Sequence, residues 1–589
     1  MKQRNSILLS LIVCFMLVLT ACGGAASTPA ERPASSPAAS SAGSPQSPSQ
    51  NRTGDSKPQN NSSENSGAPQ ASAAASPPAA LPEAAEAARP PDVAGGAPPP
   101  AESLTDSEHP PQPTEYGYPP PRRRPESPPN PGQPPYDSTF YQNYGVNPFF
   151  DAVEDPLSTF AMDIDTASYT VMRRYLSDGN LPDPDSVRVE EYLNYFNYRY
   201  PQPEDGGAFA IYTEAAPSPF GGKNYDVVQI GIQGKTIAEE DRAPTSLTFV
   251  IDVSGSMQRE NRLETVKQSL SMLVEQLRPD DQIGIVVYGS DAESILEPTS
   301  GRDKQRILRA IDSLAPSGST NVEAGLDIGF AQAEEAFIRG GTNQILLCSD
   351  GVANNGVTDP QALLQKYDRY TSQGIKLSTF GFGMGNFNDV LMEQLADAGN
   401  GFYSYIDTLE QAKRLFVDNL TGTLQLIARD AKVQVEFNPE VVSYYRLIGY
   451  ENRDVADQDF RNDTVDAGEV GSGHSVTALY EIYRVPEATG DIATVRIRYH
   501  KPDNSKIIEE AQTLGSQDRL DRFDETSGRF KLAVSVAEYA ELLRYSRWTR
   551  GTTLDDVVEL SYEALPSFQG DQDVQEFVDL LGRAAALAD

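Results

Sequence analysis

Two hydrophobic rhythms alternate through the middle of the chain. Residues 247–251, 283–288, 344–348 and 375–380 are short, continuously apolar runs, the pattern of parallel strands buried on both faces. Between them apolar residues recur at three- and four-residue steps. Leu263, Val266, Leu270, Leu273, Val274 and Leu277 predict an amphipathic helix. The same spacing predicts helices over 307–314, 322–337, 361–370, 390–398 and 409–420, with further strands at 294–298 and 402–406. Strands alternating with helices predict an α/β fold with a doubly wound, mainly parallel sheet over residues 246–422. In such sheets ligands bind at the carboxyl ends of the strands, where the winding reverses.

The flanks follow a different period. Val433, Val435 and Phe437 alternate with polar residues, as do Val495, Ile497 and Tyr499, and 209–213, 225–232 and 476–483 read as further strands. A small antiparallel β domain is therefore expected after residue 425, with strands from both sides of the central domain completing it. The tail turns helical, with Leu532, Val536, Tyr539 and Leu543 on one face and a last helix over 574–586. The aromatic run 189–200 reads as core. The divisions are thus an N-terminal flank at 136–245, the α/β domain at 246–422, and a C-terminal β-rich and helical domain at 423–589.

Before residue 136 there is no such periodicity. Residues 1–22 have a basic start (Lys2, Arg4) and an apolar stretch from Ile7 to Leu19, too short for a comfortable membrane span but right for a signal-peptide core. The stretch ends in Leu19-Thr20-Ala21-Cys22-Gly23, which resembles the lipobox of bacterial lipoproteins; the resemblance implies that Cys22 is lipidated and that the chain is an envelope protein outside the cytoplasm, held to its membrane by the lipid alone. Residues 23–135 are rich in Pro, Ser, Ala and Gly and predict a disordered linker. As a coil it would reach about 60 Å, and as extended polyproline about 340 Å.

Charge and cysteine usage narrow the picture. The net charge is −36, and residues 23–135 carry only seven basic and eleven acidic side chains, so the acidity belongs to the folded part. That balance disfavours nucleic acid and suits cations. Of three cysteines only Cys348 lies beyond the leader, so an intramolecular disulfide is excluded there.

The candidate chemistry sits at the strand ends of the central domain. Asp252-x-Ser254-x-Ser256 closes the first strand, Thr320 follows about 65 residues on, and Asp350-Gly351 about 30 beyond, each at a strand-to-helix loop. This closely resembles the metal-ion-dependent adhesion site of von Willebrand factor type A (VWA) domains. The resemblance implies one Mg²⁺ (or Mn²⁺) held by the hydroxyls of Ser254, Ser256 and Thr320, with Asp252 and Asp350 often acting through water. It also implies a protein partner that offers a Glu or Asp carboxylate to the ion. The residue types suit such an ion, because Mg²⁺ is hard, takes six oxygens and keeps some of its water.

Other motifs read as structure. Asp163, Asp165 and Thr166 form an acidic and hydroxyl cluster, expected to be a strand end with an Asp or Thr helix cap. Gly381-Phe-Gly383-Met-Gly385-Asn386 lacks the third glycine of a dinucleotide loop and reads as a turn, so no nucleotide is expected. Cys348 falls in a buried strand and reads as an inert core thiol. With three histidines, none in a triad or zinc spacing, no enzymatic activity is expected. Residues 160–169 and 187–200 resemble the region preceding the VWA domain in one family of bacterial lipoproteins, and 466–481 resembles the domain that follows it there. The function expected is metal-dependent protein binding or adhesion. The alternatives are a partner subunit for an AAA+ ATPase or envelope assembly machinery, and a structural envelope scaffold.

Overall fold

The computed structural model describes residues 141–588, except 163, 205, 352–359, 384–386, 466, 504 and 550. The leader, Cys22 and the linker expectation lie outside the described residues.

The central domain has the predicted doubly wound architecture. Thr245–Asp252 is the middle strand of a six-stranded sheet. Gln282–Tyr288 pairs with it in parallel on one side and Thr342–Ser349 in parallel on the other. Ile375–Gly381 and Tyr403–Tyr405 extend the second side in parallel, and Ala292–Ser300 closes the first side as an antiparallel edge. Winding thus proceeds one way from the first strand and then the other, and it reverses between Thr245–Asp252 and Thr342–Ser349. Alternation along the strand sorts its side chains: Leu247, Phe249 and Ile251 pack on one face with Val266 and Leu270 of the helix Arg262–Gln276, and Val250 packs on the other with Leu326 and Phe330 of the helix Val322–Glu335. Burying each such side chain is worth about 1.5–3 kcal/mol. The helix expected over 409–420 is interrupted: Leu409–Lys413 passes through a π turn at Arg414–Asp418 before Leu420–Leu424.

The flanks combine, as their alternation predicted. One antiparallel sheet runs Phe150–Asp151, Val442–Ile448, Ser475–Arg484, Tyr225–Gly234, Phe209–Pro217. The other is built on Leu426–Phe437, which pairs on one edge with Asp491–His500 and on the other with both Gly468–Gly471 and Leu157–Ala161. Their facing side chains, among them Phe160, Ile230, Ile232, Val433, Val435, Tyr480 and Ile497, form one buried core. Both sheets need strands from before and after the central domain, so neither flank could bury its apolar face alone. Helices Gly528–Leu543, Leu554–Ala564 and Gln572–Ala588 cover the outer face of the first sheet together with the aromatic run, in which Tyr192, Tyr195, Tyr198 and Tyr200 are all buried. Among the described residues no helix is long and apolar enough to cross a membrane.

The helix Ala167–Ser177 packs Ala167, Val171 and Tyr175 against Tyr403 and Tyr405 of the central sheet's edge strand. The Asp165–Thr166 cluster is structural, but not through the expected cap. Thr166 stands at the N-cap position and its side chain makes no capping bond. Instead the Glu191 carboxylate accepts the N–H of Ser168 at 2.7 Å, while Asp165 accepts from the N–H of Tyr403 at 2.9 Å and from Arg453 at 3.0 Å. A carboxylate carried on a neighbouring element replaced the local cap, a choice that spacing along the chain cannot reveal.

Candidate metal site

Three loops meet where the winding reverses. The first leaves Thr245–Asp252. There the N–H of Ser254 donates to Asp252 Oδ1 at 2.8 Å, an Asx-type turn that brings the chain round, and the Ser254 and Ser256 hydroxyls lie 2.9 Å apart. The third leaves Thr342–Ser349, and its Ser349 hydroxyl donates to Asp252 Oδ2 at 3.0 Å. The middle loop carries Thr320, which is buried, and it joins the helices Lys304–Asp312 and Val322–Glu335 instead of leaving a strand as expected. This loop is stitched to the first by the N–H of Gly255 donating to the Gly318 carbonyl at 3.1 Å and by the N–H of Ser317 donating to the Val253 carbonyl. Of the five candidate residues, Asp252, Ser254 and Ser256 are thus joined directly. Thr320 is drawn in by its loop, and Asp350 adjoins Ser349.

Asp252, Ser254, Thr320 and Asp350 are all within 2% of full burial and Ser256 is half-buried. Burial first, and the neighbouring Asp350 carboxylate second, push Asp252 up to about 7. Two carboxylates withdrawn from water beside each other strongly attract a cation. Asp350 Oδ2 accepts from Arg262 Nη1 at 2.8 Å, with the guanidinium itself buried. Among the described residues, Asp350 Oδ1 is buried and has no hydrogen-bond partner. An orphaned buried carboxylate oxygen costs several kcal/mol unless something positive meets it. The donor set (two carboxylates and three hydroxyls, all hard oxygens) fits Mg²⁺ or Mn²⁺.

Sequence reasoning missed Arg262. It opens the helix Arg262–Gln276 after Glu260 and Asn261, both in left-handed conformation at φ 51° and 57°. Gly383, at φ 82°, makes room for it: a Cβ there would stand 2.0 Å from Arg262 Nε. The glycine in the turn after 375–380 is therefore explained by packing against an arginine. Cys348 is fully buried, and burial pushes its thiol well up, as an inert core residue requires. His474 lies in a polar cleft of about 660 Å³ between the central domain and the flanks, where burial pushes it down to about 4.

Comparison with known proteins agrees with the architecture. A family model described as von Willebrand factor type A domain matches residues 246–418, one described as von Willebrand factor matches 135–228, and one described as the C-terminal region of uncharacterized protein YfbK matches 422–587. The chain is 36% identical over 450 residues to uncharacterized protein YfbK of Escherichia coli (strain K12), covering 72% of this chain and 77% of that relative. Inter-alpha-trypsin inhibitor heavy chain H3 of Homo sapiens is 26% identical over 216 residues, 35% of this chain and 22% of that one. Among solved structures, a von Willebrand factor type A protein from Catenulispora acidiphila is 14% identical, with a TM-score of 0.39, over 63% of this chain and 88% of its own.

Proposed function

The chain belongs to the family of VWA-domain proteins that includes YfbK of Escherichia coli, and from that premise we propose that it binds one divalent cation, Mg²⁺ or Mn²⁺, through Asp252, Ser254, Ser256, Thr320 and Asp350. Through that ion it would bind a protein partner presenting a Glu or Asp carboxylate. The observation that carries the reading is Asp350 Oδ1, buried and, among the described residues, unpartnered beside Asp252 at the point where the strand winding reverses. Hydroxyl ligands leave the ion short of negative charge, so it stays electrophilic towards an incoming carboxylate. The bound ion supplies that electrophilic position. Asp252 orients the first loop through the N–H of Ser254, and Ser349 holds Asp252 in turn. The reading is of a binding protein, not an enzyme. Lipidation at Cys22 would anchor it outside the cytoplasm, with residues 23–135 as a spacer.

The test is calorimetric titration of Mg²⁺ and Mn²⁺ into the full chain, beside Asp252→Ala. Saturable one-site binding that the variant abolishes is expected, with a rise in melting temperature for the native chain alone, because a ligand that binds only the folded state stabilises it. Two folded proteins that both ignore the metal would refute the site, and the chain would then be read as a scaffold.

A further inference from the structure

We infer that Arg262 is a built-in competitor of the metal, a guanidinium that holds Asp350 Oδ2 when no ion is bound and gives ground as an ion takes up the same carboxylate; the inference rests on the metal-site reading above. Arg262 Nη1 lies 2.8 Å from Asp350 Oδ2, with the two side chains 2% and 0% exposed. In so dry a place a positive charge beside a carboxylate is a strong partner, and a second, divalent positive charge brought to the same carboxylate is repelled by it. The guanidinium therefore both stabilises the metal-free pair of carboxylates and lowers their affinity for an ion.

The surroundings give the displaced side chain somewhere to go. Glu260 Oε1 stands 3.7 Å from Arg262 Nη2. Gly383 lets the Arg262 side chain lie directly against its backbone, in space that any larger side chain would take from it. Glu260 and Asn261 carry left-handed backbone just before the helix, a conformation that side chains rarely adopt and that persists only where surrounding contacts impose it. One such contact comes from the flank: Glu260 Oε2 accepts from Arg174 Nη2 at 3.3 Å, and Arg174 belongs to the helix Ala167–Ser177 of the N-terminal flank. Metal entry that moves Arg262 towards Glu260 therefore loads the contact between Glu260 and the flank, which ties the site's occupancy to the flanking region.

The experiment measures Mn²⁺ affinity by calorimetry on the full chain, with the metal-free melting temperature as a second readout. Arg262→Gln keeps donors and removes charge; it should bind Mn²⁺ at least about tenfold more tightly while melting lower without metal. Arg262→Lys keeps the charge and should stay within about threefold of the native affinity. Glu260→Gln should weaken Mn²⁺ binding about threefold, and the loss should persist in about 0.5 M KCl, where long-range effects of a partly exposed carboxylate are screened. That last variant decides the matter even where Arg262→Gln does not fold. A folded Arg262→Gln with unchanged or weaker affinity, or a Glu260→Gln loss that vanishes in salt, overturns the inference and leaves the site standing. Failure of both the native chain and Arg262→Gln to bind Mn²⁺ overturns the site as well.

Discussion

Removing the Asp281 carboxylate should cost the protein stability without touching the metal site. Asp281 and Arg242 are wholly buried, and the guanidinium donates to both carboxylate oxygens, at 3.3 and 2.7 Å. The same carboxylate accepts the N–H of Thr245 at 2.9 Å and that of Arg278 at 2.8 Å. It therefore fixes the start of the middle strand to the turn that precedes its neighbour Gln282–Tyr288. Asp281→Ala leaves a buried guanidinium unpaired and two backbone donors without acceptors. Breaking a buried pair in this way costs about 3–5 kcal/mol, and each charge-assisted bond lost is worth about 1.5–3 kcal/mol by itself. Equilibrium urea denaturation should place the loss near 4 kcal/mol, the middle of that range. Adding Arg242→Met removes the stranded charge and should recover about half of it, because neighbouring sites are not additive. Thr245 lies at the opposite end of its strand from Asp252, about 23 Å away at 3.3 Å per residue. Mn²⁺ affinity of the folded variant should thus be unchanged. A loss below about 1 kcal/mol, the size of a surface pair, would refute the reasoning, as would a double variant less stable than Asp281→Ala.

Three further outcomes are expected. Cys22→Ser should abolish incorporation of radiolabelled palmitate and move the chain from the membrane to the soluble fraction; labelling that persists would refute the anchor. Burial and the neighbouring Glu541 push Glu538 up to about 8, from an ordinary value of 4.5. Its neutral form therefore supports the fold fully below about pH 4.5, and this contribution is lost as pH rises through 8. Glu538→Gln, which cannot ionise, should match the native chain in urea midpoint at pH 4.5 and exceed it at pH 9 by on the order of 2–4 kcal/mol; equal midpoints at both values would refute the shift. Gly383→Ala forces a Cβ into the Arg262 side chain at a left-handed φ. It should lower the melting temperature by several degrees, roughly 1–3 kcal/mol, and an unchanged melt would show that Arg262 does not need that space.

Much of the fold and all of the candidate site except Arg262 were legible in the chain itself. The apolar strand runs and the three-four spacing determined the doubly wound domain, because a parallel sheet buried on both faces admits few polar residues and its crossover helices must show one apolar stripe. Asp252, Ser254, Ser256 and Asp350 could be found because each stands at or just after a strand end, whereas Thr320 stands between two helices and joins the other four through the packing of its loop on the first. Period-two alternation likewise announced the flanking strands, although not which strand would pair with which. Tertiary structure alone decided the rest. Leu426–Phe437 shares one edge between Leu157–Ala161 and Gly468–Gly471, segments about 300 residues apart, and only folding brings their hydrogen-bonding edges together. The cap on Ala167–Ser177 comes from Glu191, since an orphan N–H takes whichever acceptor packing delivers. Arg262 carries no motif. A lone arginine at a helix start reads as solvated charge until the fold buries it against Asp350, and the burial turns an ordinary surface cation into a partner for the site's carboxylate.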